Sequence, residues 1–243
     1  MERPNVVSRG EWLVARKALL AREKESTRQR DALSAERRKL PMVEIEEPYV
    51  FDGPNGRVSL RELFGKNEQL VIYHFMFDPS WDEGCKSCSL FADGIPGSLA
   101  HFYARNTAFA VVSLAPLAKL EAFKKRMGWS FPWFSSGAST FNHDFHVTLD
   151  DAAGGDEYNY QKAAALKETG KIWIEKGELP GLSVFFRDGN RVFHTYSVYQ
   201  RGLDALMSTY NYLDMTPLGR QEEGDPYVMA WVRHHDKYPE EQR

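Results

Sequence analysis

The sequence predicts an α/β protein of three layers, α/β/α, with helices on both faces of a central mixed sheet, and three observations carry that expectation. Two strongly apolar runs, Gln69 to Phe77 and Ala108 to Ala115, are each followed by a helical pattern, as expected of strands covered on both faces. An Asp188-Gly189-Asn190 turn joins two runs rich in aromatic and β-branched residues, the signature of a hairpin. The chain's two cysteines, Cys85 and Cys88, fall where the first apolar run gives way to its helix.

Taken in order, Ser8-Arg9-Gly10-Glu11 is a capping-box pattern that opens a helix running to about Lys39, ahead of Pro41. Its early face is apolar at Trp12, Ala15 and Leu19, but from Arg22 to Arg38 it is almost wholly polar. That half is expected to lie in solvent or against a second subunit, a homodimer through the N-terminal helix. Residues 1–41 therefore form a helical arm and 42–217 the domain proper.

A short hairpin follows, Tyr49 to Phe51 and Arg57 to Leu60 around the turn Asp52-Gly53-Pro54-Asn55-Gly56. His74 lies among apolar neighbours in the first long strand, as a core histidine would. The helical stretch from Ser89 to Phe102 is interrupted at Gly94, Pro96 and Gly97, which predicts a kink. Pro116 stands at the start of a helix with an apolar stripe of Leu117, Leu120, Phe123 and Met127. Strand, helix, strand, helix implies parallel strands.

Regularity is then lost over an insertion at about 135–180, which holds Phe141 to Leu149, a Gly154-Gly155 break, Asp156 to Gln161 and Lys171 to Glu175. The hairpin ends in a helix predicted to carry Leu203, Leu206, Tyr210 and Leu213 on one face. Residues 218–243 read as a polar tail with a small apolar anchor at Tyr227 to Trp231.

A formal charge of −3 gives no basic excess with which to bind nucleic acid or an anionic membrane. No stretch approaches the roughly 18 apolar residues that would span a bilayer, and the N-terminus is too charged for a signal peptide. A cytoplasmic protein is expected. Two cysteines three positions apart cannot staple distant parts of a chain, so in a reducing compartment they point to redox chemistry or metal binding.

Cys85 at the mouth of a helix meets unpaired backbone N–H groups and the positive end of the helix dipole, both of which favour thiolate. A fall in thiol pKa from about 8.5 to about 7 amounts to roughly 2 kcal/mol and makes half the sulfur nucleophilic at neutral pH. Lys86 adds to that effect, and Asp82 and Glu83 oppose it. Cys88, nearly one turn on, is placed to resolve a mixed disulfide formed at Cys85.

The βαβα run, closing hairpin and last helix, with Trp81 four residues before Cys85, resemble the thioredoxin fold. The Phe193-His-Thr-Tyr-Ser197, Thr209-Tyr-Asn-Tyr-Leu-Asp214 and Met229-Ala-Trp-Val-Arg233 runs are more narrowly similar to a bacterial family of unknown function, DUF899, predicted to be dithiol-disulfide oxidoreductases. That resemblance implies Cys85 as nucleophile, Cys88 as resolving cysteine, a protein or small-molecule thiol or disulfide as substrate, and no cofactor. Trp81 matches the aromatic that precedes the cysteines, as packing or as a wall of their approach.

Lys86-Ser87 replaces the Gly-Pro of thioredoxin. The slot of the cis-proline that faces the cysteines falls on Gly181, with Pro180 one residue early and the candidate substitute. The slot of the buried acid holds Pro79, which leaves Asp78 or Asp82 as substitutes. A peroxiredoxin-type peroxide site would need proline at 78 and a hydroxyl at 82, and both positions are aspartate. The alternative is a zinc, copper or redox-sensing module in which Cys85 and Cys88 join His143 and His146.

Overall fold

The computed structural model describes residues 4–150, 157–170, 172 and 176–242. The Gly154-Gly155 break and most of the 171–175 stretch lie outside the described residues.

Helix α1 (Arg9–Arg37) begins as its sequence dictates. The Ser8 hydroxyl oxygen accepts from the Glu11 amide at 3.3 Å and the Ser8 amide donates to the Glu11 carboxylate at 2.9 Å, which satisfies two end groups at once. None of its side chains is buried. After β1 (Val43–Glu44) comes the hairpin β2 (Val50–Gly53) and β3 (Gly56–Ser59), then a short helical turn at Glu62–Phe64 and the long strand β4 (Gln69–His74). The cysteine helix α2 (Lys86–Asp93) is followed by α3 (Ala100–Tyr103), β5 (Thr107–Ser113), α4 (Leu117–Arg126) and β6 (Trp133–Ser135).

The kink predicted after Cys88 is a complete break: α2 caps at Gly94, and the chain restarts as helix only at Ala100, beyond Pro96. The inserted segment holds α5 (Phe141–Asp144), β7 (Thr148–Leu149), β8 (Glu157–Tyr158), β9 (Gln161–Lys162), α6 (Ala163–Glu168) and β10 (Gly177–Glu178). Val147, Leu149, Tyr158, Leu166 and Leu179 give it a small core of its own, seated on Tyr199. The closing hairpin is β11 (Gly181–Asp188) and β12 (Arg191–Tyr199), with Gly189 in the left-handed conformation at its turn, φ +59°. The single helix expected over Leu203 to Leu213 is two pieces, a helical turn at Gln200–Leu206 and α7 (Ser208–Leu213), because Met207 between them is not helical at φ −88°, ψ 91°.

The main sheet runs β1-β12-β11-β4-β5-β6-β2-β3. β4, β5 and β6 are parallel, while β11 and β12 are antiparallel to their neighbours, so the sheet is mixed. With the cysteine helix crossing from β4 to β5 and the hairpin on the other side of β4, this is the thioredoxin-like arrangement that the sequence predicts. Alternation along β4 divides the core: Tyr73 and Phe75 join Cys88 and Phe91 of α2, Phe123 of α4 and Tyr210 of α7 on one face. Leu70 and Ile72 face Phe141 of α5, Phe145 just after it, and Phe64 on the other.

Candidate active site

Beyond His74 the backbone stays tied to β5, with the Phe75 amide on the Val112 carbonyl at 2.9 Å and the Ala115 amide on that of Phe77 at 2.8 Å. It then turns through a tight loop in which the Asp78 carboxylate accepts from the Ser80 amide and hydroxyl, at 2.8 and 2.6 Å. The Cys85 amide returns to the Met76 carbonyl at 3.0 Å, and that bond sets the cysteine at the N-cap of α2 beside the end of β4. Gly84 is needed for this return. A Cβ there would stand 2.6 Å from Phe75 and 2.9 Å from Phe123.

The two cysteines are free thiols with different surroundings. Cys85 is partly exposed, whereas Cys88 is 2% exposed in the layer beneath α2. Hydrogen bonding from the Cys88 thiol lowers the Cys85 pKa to about 7, with further help from the Cys88 and Ser87 backbone N–H groups and the Lys86 charge, against the cost of desolvation. Burial and the neighbouring Cys85 push Cys88 well above the usual thiol range, and the Tyr73 hydroxyl pulls the other way. One helical turn thus holds a sulfur poised to ionise at neutral pH and a second kept as a thiol.

The other sequence-predicted residues divide. Trp81 packs against the core on the cysteine side, and its carbonyl and that of Pro79 accept from Lys119 Nζ at 2.8 and 2.7 Å. Lys86 stands beside Cys85 with its ammonium on the Ala230 carbonyl at 3.2 Å. Asp78 is occupied by its own loop and Asp82 is exposed, so neither fills the role of a buried acid. Pro180 stands next to Gly181, which pairs with His74, but every described peptide bond is trans, so the substitute cis-proline is not found.

The alternative metal set is not assembled. His143 and His146 belong to the α5 segment on the opposite face of the sheet from Cys88, and among the described residues no group of three or more His, Cys, Asp or Glu side chains is gathered to hold an ion.

Three features were not visible in the sequence. The first is Tyr73 beneath Cys88. The second is the tail, whose His234 is buried and donates from Nε2 to the Gly84 carbonyl at 2.8 Å. Glu83 is held by Arg126 and by Lys237 at 2.7 Å, and Arg126 also grips Asp236 at 2.7 Å, so the segment read as a polar tail is strapped to the cysteine loop.

The third is Glu178, 2% exposed, whose carboxylate accepts from Asn142 at 2.7 Å and from the Thr148 hydroxyl. Burial raises its pKa from 4.5 to about 7; the two hydrogen bonds oppose that rise and the Asp78 charge adds to it. A carboxyl whose pKa is raised on folding contributes stability that is whole below its unfolded pKa and is lost as pH rises through the folded value. Glu178→Gln is therefore expected to flatten the loss of stability between about pH 5 and about pH 8 by up to about 3 kcal/mol, measured by urea unfolding across that range.

No helix among the described residues is long and apolar enough to cross a membrane. Among solved structures the chain is similar to peroxiredoxin Q of Xanthomonas campestris, at 14% identity and a TM-score of 0.47 over 73% of this chain and 98% of that one. It is similar also to peroxidoxin BcpB of Mycobacterium tuberculosis, at 14% identity and a TM-score of 0.43 over 72% and 96%. No curated protein matches it. A family model, described as a bacterial protein of unknown function, matches residues 1–238, and the chain belongs to that family, DUF899.

Proposed function

We propose that this protein is a thiol-disulfide oxidoreductase in which Cys85 attacks and Cys88 resolves. The observation that carries the reading is the pairing of a part-exposed sulfur, its pKa lowered to about 7, with a buried thiol that donates to it from three positions on. The Cys85 thiolate attacks a substrate disulfide, forms a mixed disulfide and expels one substrate thiolate. The Cys88 sulfur then attacks Cys85, closing the Cys85–Cys88 disulfide and releasing the second substrate thiolate, and the proton lost by Cys88 passes to solvent or to that leaving group. Two electrons have moved from the protein to the substrate, so no dissociable cofactor enters the cycle. The substrate class is a protein or small-molecule disulfide, and its thiol in the reverse direction.

Alkylation by iodoacetamide tests the nucleophile directly, because only the thiolate reacts. The rate of modification at Cys85, followed by peptide mass, is expected to rise with pH to a plateau with its midpoint at about 7, while Cys88 stays unmodified over that range. A midpoint near the ordinary thiol value of about 8.5 would remove the physical basis of the assignment.

A further inference from the structure

Cys88 faces a problem that the resting dithiol hides. While Cys85 is a thiolate, the Cys88 proton has an acceptor beside it. Once Cys85 is tied up in a mixed disulfide that acceptor is gone, and Cys88 must become an anion in a layer where it is 2% exposed. Burial makes that costly unless a donor already points at the sulfur.

Tyr73 supplies one. Its side chain leaves β4 on the cysteine face and is 1% exposed, and its ring stacks on Phe91, one turn along α2 from Cys88, with centroids 3.9 Å apart and planes 13° from parallel. The edge of Phe75 meets it at 6.2 Å and 89°. Held in this way the ring has little freedom, and its hydroxyl acts on the Cys88 sulfur in the same buried layer, drawing that thiol's pKa downward as a donor does. Tyr158 of the inserted segment is also fully buried, with its hydroxyl donating to the Pro180 carbonyl at 2.7 Å. Burial raises the ionisation of both phenols far above neutral pH, so each remains a donor throughout the working range.

We propose that Tyr73 is the positioning residue of the resolving step: its hydroxyl holds the Cys88 sulfur beneath the first turn of α2 and donates to it as the thiolate forms. The inference rests on the exchange chemistry proposed above and adds to it the group that makes a buried cysteine usable as a nucleophile. A fixed donor in a dry site needs no reorganisation when the charge appears, which is where such a hydrogen bond has its largest effect.

The test separates the two half-reactions. Reduced protein mixed with the aryl disulfide dithiobis(nitrobenzoate) releases one coloured thiolate when Cys85 attacks and a second when Cys88 resolves. Tyr73→Phe keeps the ring, its stack and nearly all its buried area, and removes only the hydroxyl. Its first phase is expected to stay within about twofold of the wild type and its second to slow by about tenfold or more at neutral pH, with the pH profile of the second phase moved upward. A purely structural role for Tyr73 would leave that profile where it is. An unchanged second phase, or two phases slowed alike, overturns the inference while leaving the exchange reading in place. A wild-type protein that never releases the second thiolate overturns both.

Discussion

Cys85→Ser is expected to lower the rate of disulfide exchange by at least about a thousandfold, because a serine hydroxyl is not ionised near neutral pH and is a poor nucleophile toward sulfur. The loss follows from chemistry alone and should leave the fold intact. Cys85 is partly exposed at the N-cap of α2, and its amide bond to the Met76 carbonyl survives the change. Cys88→Ser behaves differently. It retains the first attack, because a hydroxyl at position 88 is still a hydrogen-bond donor, and then stalls as a mixed disulfide that mass spectrometry detects as a stable adduct. Equal and complete loss in both variants would contradict the division of labour between the two sulfurs.

Trp133→Ala is expected to cost about 3–5 kcal/mol of folding stability. Trp133 is wholly buried under the cysteine face, with the rings of Phe75, Phe131 and Trp129 at 4.8, 5.9 and 5.8 Å and its indole N–H donating to the Ser113 hydroxyl at 3.0 Å. Its removal leaves a cavity that these rigid rings cannot fill by small shifts. Urea unfolding should show a lower midpoint with an unchanged slope. The consequence reaches the site, because Phe75, which leans on Trp133, is also the ring against which Gly84 turns.

Much of this architecture is legible in the sequence because it is local. The Ser8 and Glu11 cap, the apolar run of β4 and the Asp188-Gly189 hairpin are each decided by residues within a few positions of one another. The cysteine pair is local too: the Cys88 thiol, the backbone N–H groups of Ser87 and Cys88 and the Lys86 charge, all within three positions of Cys85, lower its pKa.

What the sequence hides depends on distance. His234 reaches Gly84 across 150 positions, and nothing in a polar tail announces that it will lie on the cysteine loop. Glu178 is buried under Asn142 and Thr148, 36 and 30 positions away in the chain. Tyr73 lies in a strand apolar on both faces, where parity sets it beside Phe75 but not under Cys88. Asp78 is held within its own loop by Ser80, two positions on, whereas the metal set with His143 and His146 fails through distance. Spacing along the chain cannot show that the sheet stands between the histidines and Cys88.

Cys85 and Cys88 are expected to interconvert between dithiol and disulfide. The purified, metal-free protein equilibrated in a series of glutathione redox buffers, quenched with acid and analysed by mass, tests it most directly. A single reversible transition to an intramolecular Cys85–Cys88 disulfide, with one definable midpoint approached from either side, is the predicted result; a pair that stays reduced at every poise would contradict it.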